Sequence, residues 1–196
     1  MRGVLQNAYV AVFGAKDTSY YFRGQRGNEM MTNIFEAAAI GSCAGAMAHS
    51  YKGGGLRRTL LLFWLPFLMA WGLEAGYMWG LHGYFYPAGS YALWLPGGFP
   101  LAIACGWVLA VYVGFLVLRR FQSFKLAVLA GAGIDILLEP LPLYGNLWVW
   151  TASNPLQQIT YFGAPLLNAL VWLLFVSVML FMFGKSGELK RWKNEW

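Results

Sequence analysis

The amino-acid sequence predicts an all-α protein, a polytopic transmembrane helical bundle of about five spans with an N-terminal interfacial segment. Hydrophobic residues make up 59% of the chain and charged residues 11%, whereas roughly 25% of the residues in a soluble domain are charged. Several apolar stretches are long enough to cross a hydrocarbon core of roughly 30 Å. At 196 residues the chain is expected to form one domain.

The distribution of charged residues along the sequence divides the chain into three regions. Residues 30–184 are the expected transmembrane domain, and residues 185–196 are a basic cytoplasmic tail. Residues 1–29 combine apolar residues at loose helical spacing with a polar, basic stretch, which is typical of a segment lying on the membrane surface. An ordinary polar tail is the alternative. The N-terminus lacks a basic flank followed by an uninterrupted apolar core, so no cleavable signal is expected.

The first predicted span is the weakest of the five. It is rich in Ala, Gly and Ser and contains Glu36 and His49, so an interfacial or re-entrant placement is its alternative. The second span contains Pro66, a candidate kink. The predicted spans are 30–51, 56–83, 99–119, 124–141 and 158–183.

Basic residues predict the orientation of the bundle in the cell membrane. Loops 84–98 and 145–157 carry no charge, while the other connections are basic. By the positive-inside rule the C-terminus is cytoplasmic and the two aromatic loops face outward. The net charge of +6 is therefore attributed to topology and contact with membrane lipid, not to nucleic acid. The basic residues after the N-terminal segment are Lys52, Arg57, Arg58, Arg119, Arg120, Lys125, Lys185, Lys190, Arg191 and Lys193.

The stretch Gly131–Trp150 holds the main candidate site. Asp135 and Glu139 are four residues apart and project from one face of a helix, which Pro140 is expected to end or kink at Glu139. Glu74 lies in the second span. Acids within a membrane are costly and are functional candidates by default. An unpaired carboxyl in a poor solvent stays protonated, and a neutral carboxylic acid is a usable general acid.

Other polar and aromatic side chains are expected to complete the site. The alternative is that the acids only form hydrogen bonds between helices and fix the packing. Gly72, Gly76, Gly80 and Gly83 are expected to open one side of the second span for close helix contact. The candidate ligand-binding residues are Trp71, Tyr77, His82, Tyr84, Tyr86, Trp148, Trp150, Tyr161 and Asn168.

The sequence provides no cofactor motif, so no cofactor is expected. His82 with the three acids has metal-ligand types without diagnostic spacing, so no metal site is expected. Cys43 and Cys105 lie in unrelated segments, and their separation is not the pattern of a disulfide or zinc site.

Residues 56–180, taken in order, resemble the membrane carotenoid-biosynthesis family, which includes the bacterial carotenoid end-group hydratases and the archaeal bisanhydrobacterioruberin hydratase. The chain departs from the family in having Glu139-Pro140 where the family usually has Asp-Pro, and in being shorter, with fewer spans. The residues that carry the resemblance are Glu74-Ala75-Gly76, Gly80, Gly83-Tyr84, Tyr86, Pro100-Leu101, Trp107, Asp135, Glu139-Pro140, Gly145, Trp148-Val149-Trp150, Tyr161 through Pro165, and Asn168.

The resemblance implies hydration of a terminal trisubstituted alkene on an acyclic carotenoid or similar isoprenoid. Asp135 and Glu139 would then be the acid and base, and Glu74 would position water or the cation. The competing hypothesis is a non-catalytic membrane subunit that binds a carotenoid, quinone or lipid in the same cavity and assembles with partner subunits. A small transporter is a third hypothesis, which the absence of an internal repeat disfavours.

Overall fold

The computed structural model describes residues 29–81, 83–87, 90–139, 147–151, 155–161 and 163–185. Most of the predicted N-terminal segment, the basic tail beyond Lys185, and His82 lie outside these residues. The described chain is mostly helical. Its helices are α1 (Glu29–Ala75), α2 (Leu101–Phe121), α3 (Phe124–Leu138) and α4 (Leu166–Lys185), and a π-helical turn (Gly76–Gly80) follows α1.

The first helix, α1, folds back on itself at Gly55. The φ angle of Gly55 is 70° and its ψ angle is −176°, which is non-helical and suits a residue without a Cβ atom. The Thr59 hydroxyl donates a hydrogen bond to Ser50 Oγ at 3.1 Å, although nine residues separate them. Phe35 and Glu74 line one cavity, whereas a straight helix would place them about 58 Å apart. The break therefore lies at Gly55, the third of three successive glycines. Pro66 lies within the helix and does not cause a second break, since no residue of α1 other than Gly55 has non-helical φ and ψ angles.

This reversal divides α1 into an N-terminal arm (residues 29–54) and a C-terminal arm (residues 56–75). The arms correspond to the first two predicted spans. A two-residue turn with Gln122 in the left-handed conformation (φ 55°) joins α2 to α3. Consecutive helices are consequently antiparallel, and the turn at Gly55, the turn at Gln122 and the end of α4 lie at the same end of the bundle. Arg57, Arg58, Arg119, Arg120, Lys125 and Lys185 belong to this end.

The opposite end is closed by short strands, which the all-α expectation missed. They form three two-stranded antiparallel sheets. The β1–β4 pair matters most because it joins the two aromatic loops, with Tyr84 opposite Trp150. The strands are β1 (Tyr84–Phe85), β2 (Trp94–Leu95), β3 (Phe99–Pro100), β4 (Val149–Trp150), β5 (Thr160–Tyr161) and β6 (Ala164–Pro165); β2 pairs with β3, and β5 with β6.

Helix α2 is the centre of the bundle and contacts each of the other three helices. A Cβ atom added at Gly131 of α3 would lie 2.6 Å from the Ala110 carbonyl oxygen and 2.9 Å from Val176 Cγ1. Gly131 thus permits α3 to pack closely against α2 and α4.

The predicted glycine contact on the second span is wrong at three of its four positions. Gly72, Gly76 and Gly80 are exposed, and a Cβ atom on any of them would meet nothing within 4 Å. Spacing of four residues shows that glycines share a helix face, but it does not show that another helix packs there. Gly83, beyond the helix, does lie close to a neighbour, the ring of Tyr77.

Cys43 and Cys105 are brought together although their sequence positions suggested no relation. Both are buried free cysteines, and their thiols are in hydrogen-bond contact across the interface of the N-terminal arm with α2. Together with the bond between His49 Nδ1 and the Tyr112 hydroxyl, this contact fixes the arm on α2 over several helical turns.

Three described segments are long and apolar enough to cross a membrane: Met30–Gly80, Leu101–Phe121 and Leu166–Lys185. An 18-residue window in each segment has a mean hydropathy of 1.4, 2.5 and 2.5, respectively. The fourth predicted span, α3, has 15 helical residues. The fold is therefore a helical bundle compatible with a membrane protein.

We expect Gly131→Ala to lower the free energy of unfolding by about 1–3 kcal/mol, because the added methyl group overpacks the contact of α3 with α2 and α4. Thermal unfolding in mild detergent measures the change. Gly133→Ala is the matched control on the same helix, since a Cβ atom there meets nothing within 4 Å. Equal unfolding temperatures for the two variants would contradict the packing described here.

Candidate functional site

A cavity lies at the end of the bundle opposite the basic turns, and every helix contributes to its wall. Its unfilled space is about 500 Å³, including the open space at its mouth. Phe35 and Glu74 come from the two arms of α1, Trp107 from α2, Asp135 from α3 and Trp172 from α4. The reversal at Gly55 is what brings both arms to this wall.

The structure brings together eight of the side chains that the sequence singled out. They line the cavity: Glu74, Tyr84, Tyr86, Asp135, Glu139, Trp148, Trp150 and Asn168. Sequence reasoning missed the other lining residues as site residues, since apolar side chains in apolar helices are indistinguishable from core. These are Phe35, Ile103, Gly106, Trp107, Ile134, Leu138 and Trp172.

Three further predicted residues lie around the cavity and are not part of its wall. The Trp71 indole is partly exposed and donates to the Pro96 carbonyl at 3.0 Å. The Tyr77 ring packs against Tyr84 and Trp150. The Tyr161 hydroxyl faces Asp135 and Asn168 from outside the wall. The fourth, His82, is outside the described residues.

The central feature of the site is the carboxyl pair of Asp135 and Glu139. Helix α3 ends at Leu138, and the Glu139 amide still donates to the Asp135 carbonyl at 2.8 Å, so both side chains leave the same face. Asn168 Nδ2 donates to Asp135 Oδ2 at 2.9 Å and to Glu139 Oε1 at 2.6 Å. The two carboxyl groups are also close enough to interact with each other.

Glu74 is the third acid, and both of its oxygens are engaged by neutral donors. Its Oε1 accepts from Trp107 Nε1 at 2.7 Å and its Oε2 from the Tyr86 hydroxyl at 3.3 Å. Burial, and then the nearby Glu74, raises the pKa of Tyr86 well above its usual value, so Tyr86 remains a neutral donor. Glu74 is consequently held in place more completely than Glu139.

The cavity contains one unused acceptor and one unused donor. The Trp150 indole faces the Glu139 carboxyl, yet neither Glu139 Oε2 nor Trp150 Nε1 forms a hydrogen bond to any described residue. Glu139 is only 2% exposed. Buried polar atoms are normally satisfied by protein or water, so the two atoms define a place for a water molecule or a hydroxyl group.

Aromatic rings form most of the remaining wall. The Trp107 and Trp172 rings are stacked, with centroids 3.8 Å apart and planes 9° apart. Tyr84 packs edge-on against Trp150 at 4.9 Å, and Phe35 edge-on against Trp148 at 6.3 Å. The described wall includes no Lys, Arg or His side chain. Within the described residues, no three His, Cys, Asp or Glu side chains are grouped to hold a metal ion.

A second set of contacts fixes the outer loops over the cavity. The buried Glu36 carboxylate accepts from the backbone amides of Ala92 and Leu93, both at 2.9 Å. The neighbouring Tyr91 hydroxyl donates to the Leu147 carbonyl at 3.0 Å, directly before Trp148. Glu36, to which the sequence assigned no role, thus ties the N-terminal arm to both aromatic loops.

We expect Asn168→Leu to lower the free energy of unfolding by about 1–3 kcal/mol, because it removes the donor to two buried carboxyl groups. Detergent-phase thermal unfolding gives the measurement. Ser177→Ala is the control on α4, since the Ser177 hydroxyl donates to the Leu173 carbonyl of its own helix and makes no contact with the acids described here. If Asn168→Leu proved as stable as Ser177→Ala, the bridge would not hold α3 and α4 together.

No family model matches the chain, and no curated protein or solved structure matches it. The chemistry of the site is accordingly derived from its own geometry. That geometry combines a carboxyl pair bridged by Asn168, an unpartnered carboxyl oxygen beside an unpartnered indole N–H, and an aromatic wall.

Proposed function

We propose that this protein is an integral membrane enzyme that hydrates a terminal trisubstituted alkene of an acyclic carotenoid or related isoprenoid. The observation that carries the proposal is Glu139 Oε2, a buried and unpartnered oxygen of a residue that lines an aromatic cavity together with Asp135. The sequence resemblance supports the same assignment, because nine of the residues that carry it, including all three acids, line this cavity.

Protonation of the alkene is the first step. The Glu139 carboxylic acid gives its proton to the less substituted alkene carbon, the π bond breaks, and a tertiary carbocation forms at the other carbon. A general acid is effective when it is protonated and held within reach of the reacting atom. The hydrogen bonds of Asn168 and Asp135 to Glu139 leave Oε2 directed into the cavity.

Capture by water completes the reaction. A water molecule between Glu139 Oε2 and Trp150 Nε1 forms the new C–O bond and releases a proton to the carboxyl pair. The proton moves between Asp135 and Glu139 and restores the starting state, so hydration needs no net proton and no electron transfer. Aromatic faces stabilise a nearby cation by about 2 kcal/mol when it is desolvated, and Glu74 keeps the Trp107 ring in position.

The proposed membrane placement uses both arms of α1, α2, α3 and α4 as five spans. The basic turns then face the cytoplasm, together with the C-terminus, and the cavity lies in the outward half of the bundle in the cell membrane. At 15 residues, α3 is about 22 Å long, so its end and the carboxyl pair lie within a hydrocarbon core of roughly 30 Å.

The second candidate is a non-catalytic subunit that holds a carotenoid, quinone or lipid in this cavity and binds partner subunits. The observation that favours it is the pair of hydrogen bonds that Asn168 Nδ2 donates to the two acids, because these bonds already join both acids to α4. In that case the acids act as a helix-to-helix connection and the ligand leaves unchanged.

We expect the double variant Asp135→Asn with Glu139→Gln to lose hydration by at least 100-fold, since general acid–base groups typically contribute 10²–10⁴-fold. The assay follows incorporation of ¹⁸O from labelled water into an added acyclic carotenoid by the purified protein. Ser177→Ala is the control, on the same bundle and away from the cavity.

Hydration by the double variant at the wild-type rate would rule out the proposed acid and base. A wild-type protein that co-purifies with other polypeptides and leaves bound polyene unchanged would establish the subunit role instead.

A further inference from the structure

The cavity has an acidic wall. Three carboxyl groups contribute to its wall, and the described wall contains no basic side chain. Glu74 is 4% exposed, Asp135 6% and Glu139 2%, so solvent does not compensate any of them. A positively charged ligand would complete this set of groups, because an opposite charge in a poorly solvated site favours the ionised carboxylate.

The aromatic wall is suited to one kind of cation. Indole and phenol faces attract a cation through the ring quadrupole, and Trp is the strongest of these partners. The Trp107–Trp172 stack and the Tyr84–Trp150 pair lie on the same wall as the acids. Such rings recognise alkylated ammonium groups, whose charge is spread over methyl groups and is weakly hydrated. A primary ammonium, which is strongly hydrated, loses more on entry.

Glu74 acts on this wall through Trp107. Its carboxyl group accepts a hydrogen bond from the Trp107 indole N–H at 2.7 Å, so the ring is fixed in orientation. The Trp107 ring also stacks on Trp172, and it packs edge-to-face with Phe175 at 4.7 Å between centroids. Glu74 is thus a positioning residue for the aromatic wall.

We propose that the cavity is a binding site for a tertiary or quaternary alkylammonium group attached to an apolar chain. The inference rests on the same site as the proposed hydration, because a dimethylalkylammonium has the charge and substitution of the tertiary carbocation. An analogue of a high-energy intermediate binds more tightly than the ground state. The proposal also stands without turnover, since it concerns binding alone.

The test compares three probes with the wild-type protein at equal detergent concentration. They are N,N-dimethylgeranylammonium, the neutral hydrocarbon with a C–H in place of the N–H, and the primary geranylammonium. Calorimetric titration at pH 7 gives the three apparent dissociation constants. We expect the dimethylammonium to bind at least tenfold more tightly than either of the others. Equal binding of the dimethylammonium and the hydrocarbon overturns the proposal, and so does equal binding of the two ammonium probes.

Variants then assign the preference to the aromatic wall. Trp107→Leu and Trp172→Leu are each expected to remove most of the preference for the dimethylammonium, while Trp172→Phe retains most of it. Trp64→Leu is the matched control, because Trp64 is 52% exposed and is not part of the wall. An undiminished preference in both Trp107→Leu and Trp172→Leu overturns the role of the rings. The comparison of probes on the wild-type protein keeps the test decisive if a variant does not fold.

Binding and turnover separate the two proposals. Tight, selective binding of the dimethylammonium by a protein that hydrates no alkene supports the cation site and removes the hydration. Hydration without preferential ammonium binding removes the cation site and leaves the hydration standing.

Discussion

One amide group determines the arrangement of the site. Asn168 Nδ2 donates to carboxyl oxygens of both Asp135 and Glu139, and through them it connects the start of α4 to the end of α3. Carboxyl groups are expensive to bury, and the described wall provides no basic partner. The hydrogen bonds from the Asn168 amide satisfy one oxygen of each acid and reduce the cost of their burial. The second Glu139 oxygen is left without a partner among the described residues.

The three acids differ in how many of their carboxyl oxygens have hydrogen-bond partners. Glu74 is satisfied on both oxygens by Trp107 and Tyr86, which suits a group that fixes its surroundings. Glu139 keeps one oxygen unused, which suits a group that meets a ligand. Three acids of similar burial therefore divide into one that organises the wall and a pair that faces it.

The sequence predicted the parts of this architecture that depend on periodicity and charge. The four-residue spacing of Asp135 and Glu139 placed them on one face, and Asn168, a candidate from the last span, lines the same cavity. The helix ends at Leu138, next to the expected stop, although Glu139 before the proline keeps helical angles of φ −54° and ψ −32°. These signals are local, so they can be recognised without knowledge of the packing.

What the sequence missed depends on packing between distant segments. Phe35 and Trp172 line the cavity as ordinary aromatics of apolar helices, and nothing in their neighbours distinguishes them from core residues. The glycines of the second span gave the opposite error, because Gly72, Gly76 and Gly80 share a face that no described element covers. The two-residue strands were too short to leave a periodic signal. Cys43 and Cys105 likewise meet only because the N-terminal arm lies on α2.

The fold-back of α1 has a consequence for biogenesis. An 18-residue window within Met30–Gly80 has a mean hydropathy of 1.4, against 2.5 for the corresponding windows of α2 and α4, and the N-terminal arm includes the ionisable Glu36. Two arms joined by a tight glycine turn can enter a bilayer as one helical hairpin, in which each arm shields polar groups of the other. In the proposed membrane placement, the N-terminal arm then depends for its insertion on the C-terminal arm, which is synthesised immediately after it. Both arms leave the ribosome before Asp135 and Glu139, so they form the first part of the cavity wall.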